Sequence, residues 1–270
     1  MNFLQTVLLG LVQGLTEFIP VSSSGHLVLA QHFLGIEAGG DISFEVFMHL
    51  GTLLAVFIFF HRQIWDLIIS LFSWKSGLDG ETHRKNRSII AYLIIATLAT
   101  GLFYLIFDDM LKGAYDKPLF VAIMLLITGI LIFASDFVKN TSVPASNIGF
   151  IKSVLIGLAQ GIAIIPGISR SGTTITAALF CGVKRKDAAY FSFMLSIPAI
   201  LAANISEMGS LMALDMSILH LYITGFVVSF ISGYLVIAFL IRLIQSGSLK
   251  YFAFYVWLVS AISITLLLIG

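Results

Sequence analysis

Six long apolar stretches separated by polar segments dominate the pattern along the chain. Each approaches the roughly 20 residues that an α-helix needs to cross a hydrocarbon core about 30 Å thick. The pattern therefore predicts an all-α, polytopic membrane protein. The six predicted transmembrane helices lie near 44–62, 88–107, 118–138, 188–208, 217–242 and 250–269.

Two further apolar regions, 1–35 and 148–182, are interrupted by Pro, Ser and Gly. Each interruption leaves two runs that are too short to cross a bilayer alone. Backbone at membrane depth must still satisfy its hydrogen bonds, and helices do so internally. We therefore predict two re-entrant helical hairpins, each of which enters the membrane and returns to the same side.

The two interrupted regions resemble each other at a fixed offset of 147 residues. GLVQGLTEFIPVSSSGH at 10–26 aligns with GLAQGIAIIPGISRSGT at 157–173, with seven identities in 17 positions. Such internal similarity is typical of inverted-repeat membrane proteins. We predict a single domain, 1–270, built as an inverted repeat of about 1–138 and 148–270, in which the two hairpin tips meet near mid-membrane.

The basic residues predict the orientation of the helices, because Lys and Arg concentrate on the cytoplasmic side of membrane proteins. With the loop at 74–87 in the cytoplasm, 12 of the 15 Lys and Arg residues fall inside. Both termini then lie outside, the first hairpin enters from outside and the second enters from inside. The acidic residues placed outside are Glu37, Asp41, Asp108, Asp109, Asp116 and Asp215.

Composition supports the membrane assignment and argues against other classes. Of the 270 residues, 59% are hydrophobic and 11% are charged, whereas soluble domains have about 25% charged residues. The net charge of +1 gives no electrostatic basis for a nucleic-acid partner. The single cysteine, Cys181, cannot form an internal disulfide. No basic segment precedes the first apolar run, so we expect no cleavable signal peptide.

The polar residues at the two predicted tips have the character of an anion site. In each half a proline precedes a serine-rich turn and a short helix, whose first turn offers N–H groups and the positive end of the helix dipole. Arg170 adds a planar guanidinium, which suits a phosphate or a carboxylate. Glu17 and His26 add a carboxylate and an acid–base group, and the serines are candidate nucleophiles. This inventory is typical of phosphoryl transfer.

Structural roles compete with this interpretation. Ser and Gly often mediate packing in membrane helices, and Glu17 with Arg170 would also form a structural salt bridge. His49 fits a hydrogen-bonded structural residue, His61 fits an interfacial residue, and Glu45 fits the outer start of a transmembrane helix. Charged residues at membrane depth nevertheless favour a functional role for the pair at the tips.

The two tips resemble the motifs of the undecaprenyl-pyrophosphate phosphatases, the bacterial bacitracin-resistance family. QGLTEFIPVSSSGH at 13–26 is similar to the first motif of that family, and PGISRSGTT at 166–174 is similar to the second. The resemblance implies hydrolysis of undecaprenyl pyrophosphate to undecaprenyl phosphate and inorganic phosphate, which recycles the lipid carrier for cell-wall synthesis and gives bacitracin resistance. It also implies a bacterial plasma-membrane enzyme open to the outer face, a divalent cation (Mg²⁺ or Ca²⁺) and a homodimer.

Carried over by position, the resemblance implies Ser23 as the nucleophile, His26 as the general acid or base, Glu17 as the essential carboxylate and Arg170 as the phosphate-binding cation. Nucleophilic attack by His26 is the nearest variant. The metal is expected at Glu17 and Gln13. Many family members have Glu where this chain has Gln13, and a neutral amide binds a divalent cation more weakly than a carboxylate does. The residues expected to bind the substrate phosphates are Ser22, Ser24, Gly25, Ser169, Ser171, Gly172 and Thr174.

In the resulting hypothesis Ser23 attacks in line, His26 takes or returns a proton, and Arg170 neutralises the transferred phosphoryl group. Glu17 binds the cation or orients His26. A transporter or flippase of an anionic polyprenyl-phosphate lipid is the alternative, because inverted repeats with broken helices are also a transporter architecture. The combination of Ser, His, Glu and Arg exceeds what headgroup binding requires, and it favours the enzyme.

Overall fold

The computed structural model describes residues 1–36, 42–72, 79–212, 215–246 and 248–269. Within these ranges the fold is all-helical, and the helices follow the apolar pattern of the sequence. A 3₁₀ turn, Ala145–Asn147, precedes the second half. The α-helices are α1 Phe3–Thr16, α2 Ser23–Phe33, α3 Ile42–Phe59, α4 His61–Phe72, α5 Gly80–Lys112, α6 Pro118–Ser135, α7 Phe150–Ile162, α8 Arg170–Phe180, α9 Arg185–Ser206, α10 Met208–Met212, α11 Leu219–Ser246 and α12 Lys250–Ile269.

The predicted all-helical membrane fold is confirmed. Within the described ranges five helices, α5, α6, α9, α11 and α12, are long and apolar enough to cross a membrane. The predicted helix at 44–62 corresponds to α3, which meets the same criterion only together with α4, and the two are bent by 79° at their junction. The bend was not predicted, because no Pro or Gly marks the junction, where His61, Arg62 and Gln63 follow the apolar run.

The surface of the long helices is also that of a membrane protein. Large apolar side chains stay exposed along α5, where Leu98, Leu102 and Leu105 are 67%, 59% and 76% exposed. A contiguous apolar surface of this kind marks contact with lipid or a partner. The loop residues Glu37, Asp41 and Lys75, which entered the prediction of orientation, lie outside the described residues.

Each interrupted region forms two short helices joined by a turn, α1–α2 and α7–α8. Their first residues repeat with the offset found in the sequence: α7 begins 147 residues after α1, and α8 begins 147 residues after α2. The proline of the first interrupted region, Pro20, lies beyond the first helix, since α1 ends at Thr16. A proline disfavours helical backbone at the residue before it, so the helix stops earlier. The re-entrant path and the inverted relation of the halves stay predictions.

Glycines allow α11 to support both α1 and α3. A side chain at Gly14 of α1 or at Gly51 of α3 would collide with α11 near Ser229. Gly157 of α7 approaches the backbone of α5 at Ala96 in the same way. Close backbone approach at small residues is a main source of helix association in bilayers. These contacts fix the positions of the short helices that carry the two turns.

Candidate active site

The turn before α2 and the turn before α8 pack directly against each other. A Cβ atom on Gly25 would lie 2.9 Å from Cα of Gly167 in the opposite turn. The hydroxyl of Ser171 donates to the carbonyl oxygen of Ile19 at 3.3 Å. The contact brings the N-termini of α2 and α8 next to the segment that follows α1. Each turn together with the first turn of the helix that follows it, 17–26 and 164–173, is called the first tip and the second tip below.

A serine caps the helix that starts at each tip. The Ser22 hydroxyl oxygen accepts from the N–H of Gly25 at 3.2 Å, and the Ser169 hydroxyl oxygen accepts from the N–H of Gly172 at 3.0 Å. Such a cap satisfies one of the N–H groups that a helix start leaves without an intrahelical partner. Two serines predicted to bind phosphate thus serve as caps here, and the other N–H groups of these first turns supply the positive end of each helix dipole.

The hydroxyls of Ser24 and Ser171, also predicted to bind phosphate, lie next to these caps. The Ser24 oxygen is 3.4 Å from that of Ser22, and the Ser171 oxygen is 3.3 Å from that of Ser169. Each helix start therefore presents two neighbouring hydroxyls. Hydroxyls of this kind, which both donate and accept, can bind phosphate oxygens beside the backbone N–H groups.

Glu17 joins the two tips. It follows the last residue of α1, and its side chain is 4% exposed. Its Oε2 accepts from the hydroxyl of Ser23 at 2.6 Å and from the amide of Gln13 at 3.1 Å. Its Oε1 accepts from Nη2 of Arg170 at 2.9 Å. The structure therefore brings together the predicted nucleophile, the predicted carboxylate and the predicted phosphate-binding cation.

Arg170 is the first residue of α8, and α9 fixes its guanidinium. Its Nη1 donates to the carbonyl oxygen of Ser192 at 3.2 Å, and the side chain is 15% exposed. Thr174, one turn along α8, donates to the carbonyl oxygen of Arg170 at 2.8 Å. The hydroxyl oxygens of Thr174 and Ser192 are 2.6 Å apart. The predicted phosphate ligand Thr174 thus also supports the arginine.

Thr128 of α6 holds the second tip from another direction. Its hydroxyl donates to the carbonyl oxygen of Gly167 at 2.8 Å and accepts from the N–H of Ser169 at 3.0 Å. Both contacts are buried, so they remove the cost of leaving these backbone groups unpaired. The second tip is therefore fixed by a helix that belongs to the first half of the chain.

The two ring nitrogens of His26 contact Ser22 and Tyr255. Its Nδ1 donates to the carbonyl oxygen of Ser22 at 2.8 Å, and its Nε2 lies 3.0 Å from the hydroxyl of Tyr255. The two rings are parallel, with their centroids 5.6 Å apart. Among the described contacts the hydroxyl of Ser23 is bonded to Glu17 and not to His26. Proton exchange between Ser23 and His26 stays a prediction. The group next to the Ser23 hydroxyl is the carboxylate of Glu17.

Two residues at the site were not predicted to take part, His49 and Tyr255. Nε2 of His49 lies 3.4 Å from Oε2 of Glu17, and Tyr255 is 229 residues from its partner His26. Neither residue belongs to the two motifs, so sequence proximity did not indicate them. A signal for His49 was present in the sequence, since His49 and Glu45 are one helical turn apart in an apolar helix, where ionisable side chains are rare without a function.

The two predicted metal ligands, Gln13 and Glu17, are adjacent. Oε1 of Gln13 is buried and has no hydrogen-bond partner, so it is an acceptor that an ion can use. Magnesium is commonly held by one or two protein oxygens together with substrate phosphates and water. Within the described ranges, His, Cys, Asp and Glu form no group of three that could hold a metal ion. The donor set therefore fits a cation shared with a phosphate substrate rather than an all-protein site.

Fold and site together define a multi-pass helical membrane protein in which a buried carboxylate, an arginine and a serine meet where two helices begin. Comparison with known proteins assigns the family. The model of the bacitracin resistance protein BacA family matches residues 6–262, and the chain belongs to this family.

Relatives similar to the chain cover nearly its whole length. The undecaprenyl-diphosphatase of Methanobrevibacter smithii is 40% identical over 273 residues, which cover 97% of this chain and 96% of the relative. The undecaprenyl-diphosphatase of Rubrobacter xylanophilus is 40% identical over 273 residues and covers both chains completely. That of Treponema denticola is 41% identical over 256 residues, with 94% of each chain covered.

Proposed function

We propose that this protein is a membrane phosphatase that hydrolyses undecaprenyl pyrophosphate to undecaprenyl phosphate and inorganic phosphate. The observation that carries the proposal is the hydrogen bond from Ser23 to Glu17, whose other carboxylate oxygen pairs with Arg170. The full-length relatives named undecaprenyl-diphosphatase support the choice of substrate. Membership of the bacitracin resistance family supports a role in resistance to that antibiotic.

In the proposed reaction the Ser23 oxygen attacks the terminal phosphorus of the lipid pyrophosphate. Glu17 takes the hydroxyl proton, since its Oε2 is 2.6 Å from the serine oxygen. The bond between the terminal phosphorus and the bridging oxygen breaks, and undecaprenyl phosphate leaves. Water then attacks the phosphoserine, inorganic phosphate leaves, and the serine oxygen recovers a proton. A positioned base contributes about 10²–10⁴-fold to such a reaction.

Arg170 and the two helix starts neutralise the charge of the substrate phosphates in this proposal. The guanidinium presents several donors in a plane, which matches a phosphate better than an ammonium does. The first turns of α2 and α8 add their N–H groups and the positive ends of their dipoles. His26, one turn into α2, exchanges a proton with the leaving or the entering oxygen. The tips thus bind the pyrophosphate between them.

A divalent cation, Mg²⁺ or Ca²⁺, would be held by the carboxylate of Glu17 and the amide oxygen of Gln13 together with substrate oxygens. It would supply further neutralisation of phosphate charge. We also propose that the enzyme lies in the bacterial plasma membrane with its active site on the outer side, as the loop charges favour, and that it forms a homodimer, as the resemblance implies. Chelation followed by readdition of each metal tests the cation requirement.

The test of the function is phosphate release from undecaprenyl pyrophosphate by the purified protein in detergent. We expect continuous turnover by the parent and loss of turnover in Ser23→Ala. Ser206→Ala is the matched control, because Ser206 is exposed and its described hydrogen bond, to the carbonyl oxygen of Ala203, lies within its own helix. A transporter of anionic lipid needs two compartments and would release no phosphate in micelles. Absence of turnover by the parent would therefore contradict the proposal.

A further inference from the structure

His49 of α3 faces the carboxylate of Glu17 and lies outside both motifs of the site. Its Nε2 is 3.4 Å from Oε2 of Glu17. Its Nδ1 is 2.7 Å from the carbonyl oxygen of Glu45, one turn earlier in the same helix, and this contact fixes the plane of the ring. The side chain of His49 is 23% exposed and that of Glu17 is 4% exposed. The imidazole therefore covers one side of a nearly buried carboxylate.

The orientation of Oε2 matters because this oxygen faces the reacting hydroxyl. Arg170 holds the other oxygen from the second tip, but Ser23 itself moves from Oε2 to phosphorus in the proposed reaction. Gln13 also donates to Oε2, although it belongs to α1, the helix that Glu17 directly follows. His49 belongs to a separate helix, α3. Its contact therefore restricts the Glu17 carboxylate in a direction in which a contact from α1 does not.

Helix packing fixes the distance between His49 and α1. Gly14 of α1 and Gly51 of α3 both approach α11 near Ser229, so closely that neither position has room for a side chain. The Ser229 hydroxyl donates to the carbonyl oxygen of Met48 at 2.8 Å. The residues on either side of His49 in α3 are thus anchored to the helix that also anchors α1. The contact between His49 and the carboxylate follows from this shared support.

We infer that His49 is a positioning residue that holds Oε2 of Glu17 toward the hydroxyl of Ser23. This inference rests on the proposed phosphatase function. The role requires an N–H aimed at Oε2, and a glutamine at position 49 can present one, because its amide nitrogen reaches the place of Nε2. An asparagine amide stops near the place of Nδ1, so it keeps the contact with the Glu45 carbonyl and loses the contact with Glu17.

The experiment compares His49→Gln, His49→Asn and His49→Leu with the parent in the detergent phosphatase assay. We expect His49→Gln to keep most of kcat. We expect kcat to fall by about 10- to 100-fold in the Asn and Leu variants, because a displaced catalytic group loses activity on this scale. KM should stay near that of the parent, since His49 supports the carboxylate and does not bind substrate.

His61→Leu is the matched control, because Nδ1 of His61 makes the same kind of backbone contact, 2.9 Å from the carbonyl oxygen of Ile58, at an exposed position. Thermal unfolding in detergent checks that each variant is folded. A purely structural role predicts that Asn is tolerated at least as well as Gln. Equal kcat in these two variants, full kcat in His49→Leu, or a change confined to KM would overturn the inference. An inactive parent would instead overturn the proposed function.

Discussion

The first tip and the second tip begin their helices in the same way but carry different chemistry. In each, a serine hydroxyl accepts from the N–H of a glycine three residues later. The repeat aligns Glu17 of the first tip with Ile164 of the second, and it aligns Ser23 with Arg170. The carboxylate and the arginine then meet across the contact between the tips at 2.9 Å. Neither tip holds the whole site, so the site exists only where they meet.

The tips also differ in backbone conformation at the capping serine. Ser22 has φ of 71°, in the left-handed region, whereas Ser169 has φ of −69°. A left-handed conformation costs a residue other than glycine on the order of 1 kcal/mol. The carbonyl group of Ser22 accepts from both Nδ1 and the backbone N–H of His26. The strain is thus located where the first tip orients its histidine.

Glu17→Gln should have the largest effect, because it removes the carboxylate from the first tip and preserves the shape of the side chain. We expect kcat for phosphate release to fall by about 10²–10⁴-fold, since an amide cannot take the proton of Ser23. Glu81→Gln is the control, because Glu81 forms an exposed ion pair with Lys85. Full activity of Glu17→Gln would show that the contact between the tips is structural only.

Arg170→Lys tests the contribution of the second tip. A lysine keeps the charge but not the planar fork that reaches both Glu17 and the carbonyl oxygen of Ser192. We expect kcat to fall by about 10²–10³-fold, as for loss of an oriented group that stabilises transition-state charge. Steady-state kinetics should show no such change for the exposed Arg84→Lys. Equal kinetics for the two lysine variants would show that Arg170 does not stabilise the transition state by neutralising phosphate charge.

The contact between the tips should tolerate an added methyl group less well at Gly25 than at Gly172. A Cβ on Gly25 would lie 2.9 Å from backbone Cα of Gly167, whereas one on Gly172 would lie 3.1 Å from the Ser169 side chain. We expect Gly25→Ala to lower the free energy of unfolding by about 1–3 kcal/mol, and Gly172→Ala to lower it by less. Thermal unfolding in detergent measures both.

Gly101→Ala is the control for these alanine variants. Gly101 lies within α5 and has no atom within 4 Å of its added Cβ, so alanine there should be stabilising by roughly 0.5–1 kcal/mol. If Gly25→Ala were as stable as Gly101→Ala, the close approach of the two tips would be wrong.

The smallest effect is expected at the capping serines, and its sign should differ between the tips. We expect Ser22→Gly to raise the melting temperature slightly. The relief of the left-handed strain outweighs the few tenths of a kcal/mol that glycine costs as a cap. Ser169→Gly relieves no strain and loses the cap hydroxyl, so it should lower the melting temperature slightly. Side-by-side melting curves check the difference. Destabilisation of the same size in both variants would contradict the contrast in backbone strain.

The sequence was sufficient to predict the long helices and the motif residues. A bilayer imposes a length and an apolar composition, so 118–138 and 250–269 correspond closely to α6 and α12. The pairing of the tips was also foreseeable, because the repeat has a fixed offset and its polar residues had to find partners away from lipid. The prediction of orientation in the membrane depends on the loop charges, and the packing of the helices does not test it.

Neither the bend between two consecutive helices nor the contacts between distant helices could be predicted. The bend between α3 and α4 has no Pro or Gly to mark it. His49 and Tyr255 reach the site through the packing of α3 and α12, and no motif surrounds them. The role of Glu17 as the base for the Ser23 hydroxyl likewise depends on a distance of 2.6 Å between the two side chains. The spacing of the two residues in the sequence does not determine this distance.

The most direct test of Ser23 as the nucleophile and Glu17 as its base is to trap the phosphorylated enzyme and to identify the labelled residue. Undecaprenyl pyrophosphate labelled in its terminal phosphate would be mixed with the detergent-purified protein and quenched with dodecyl sulfate at neutral pH, which preserves both phosphoserine and phosphohistidine. The proposed mechanism predicts a label on Ser23 that is absent in Ser23→Ala and that accumulates far more slowly in Glu17→Gln. A label on His26 that persists in Ser23→Ala would contradict it.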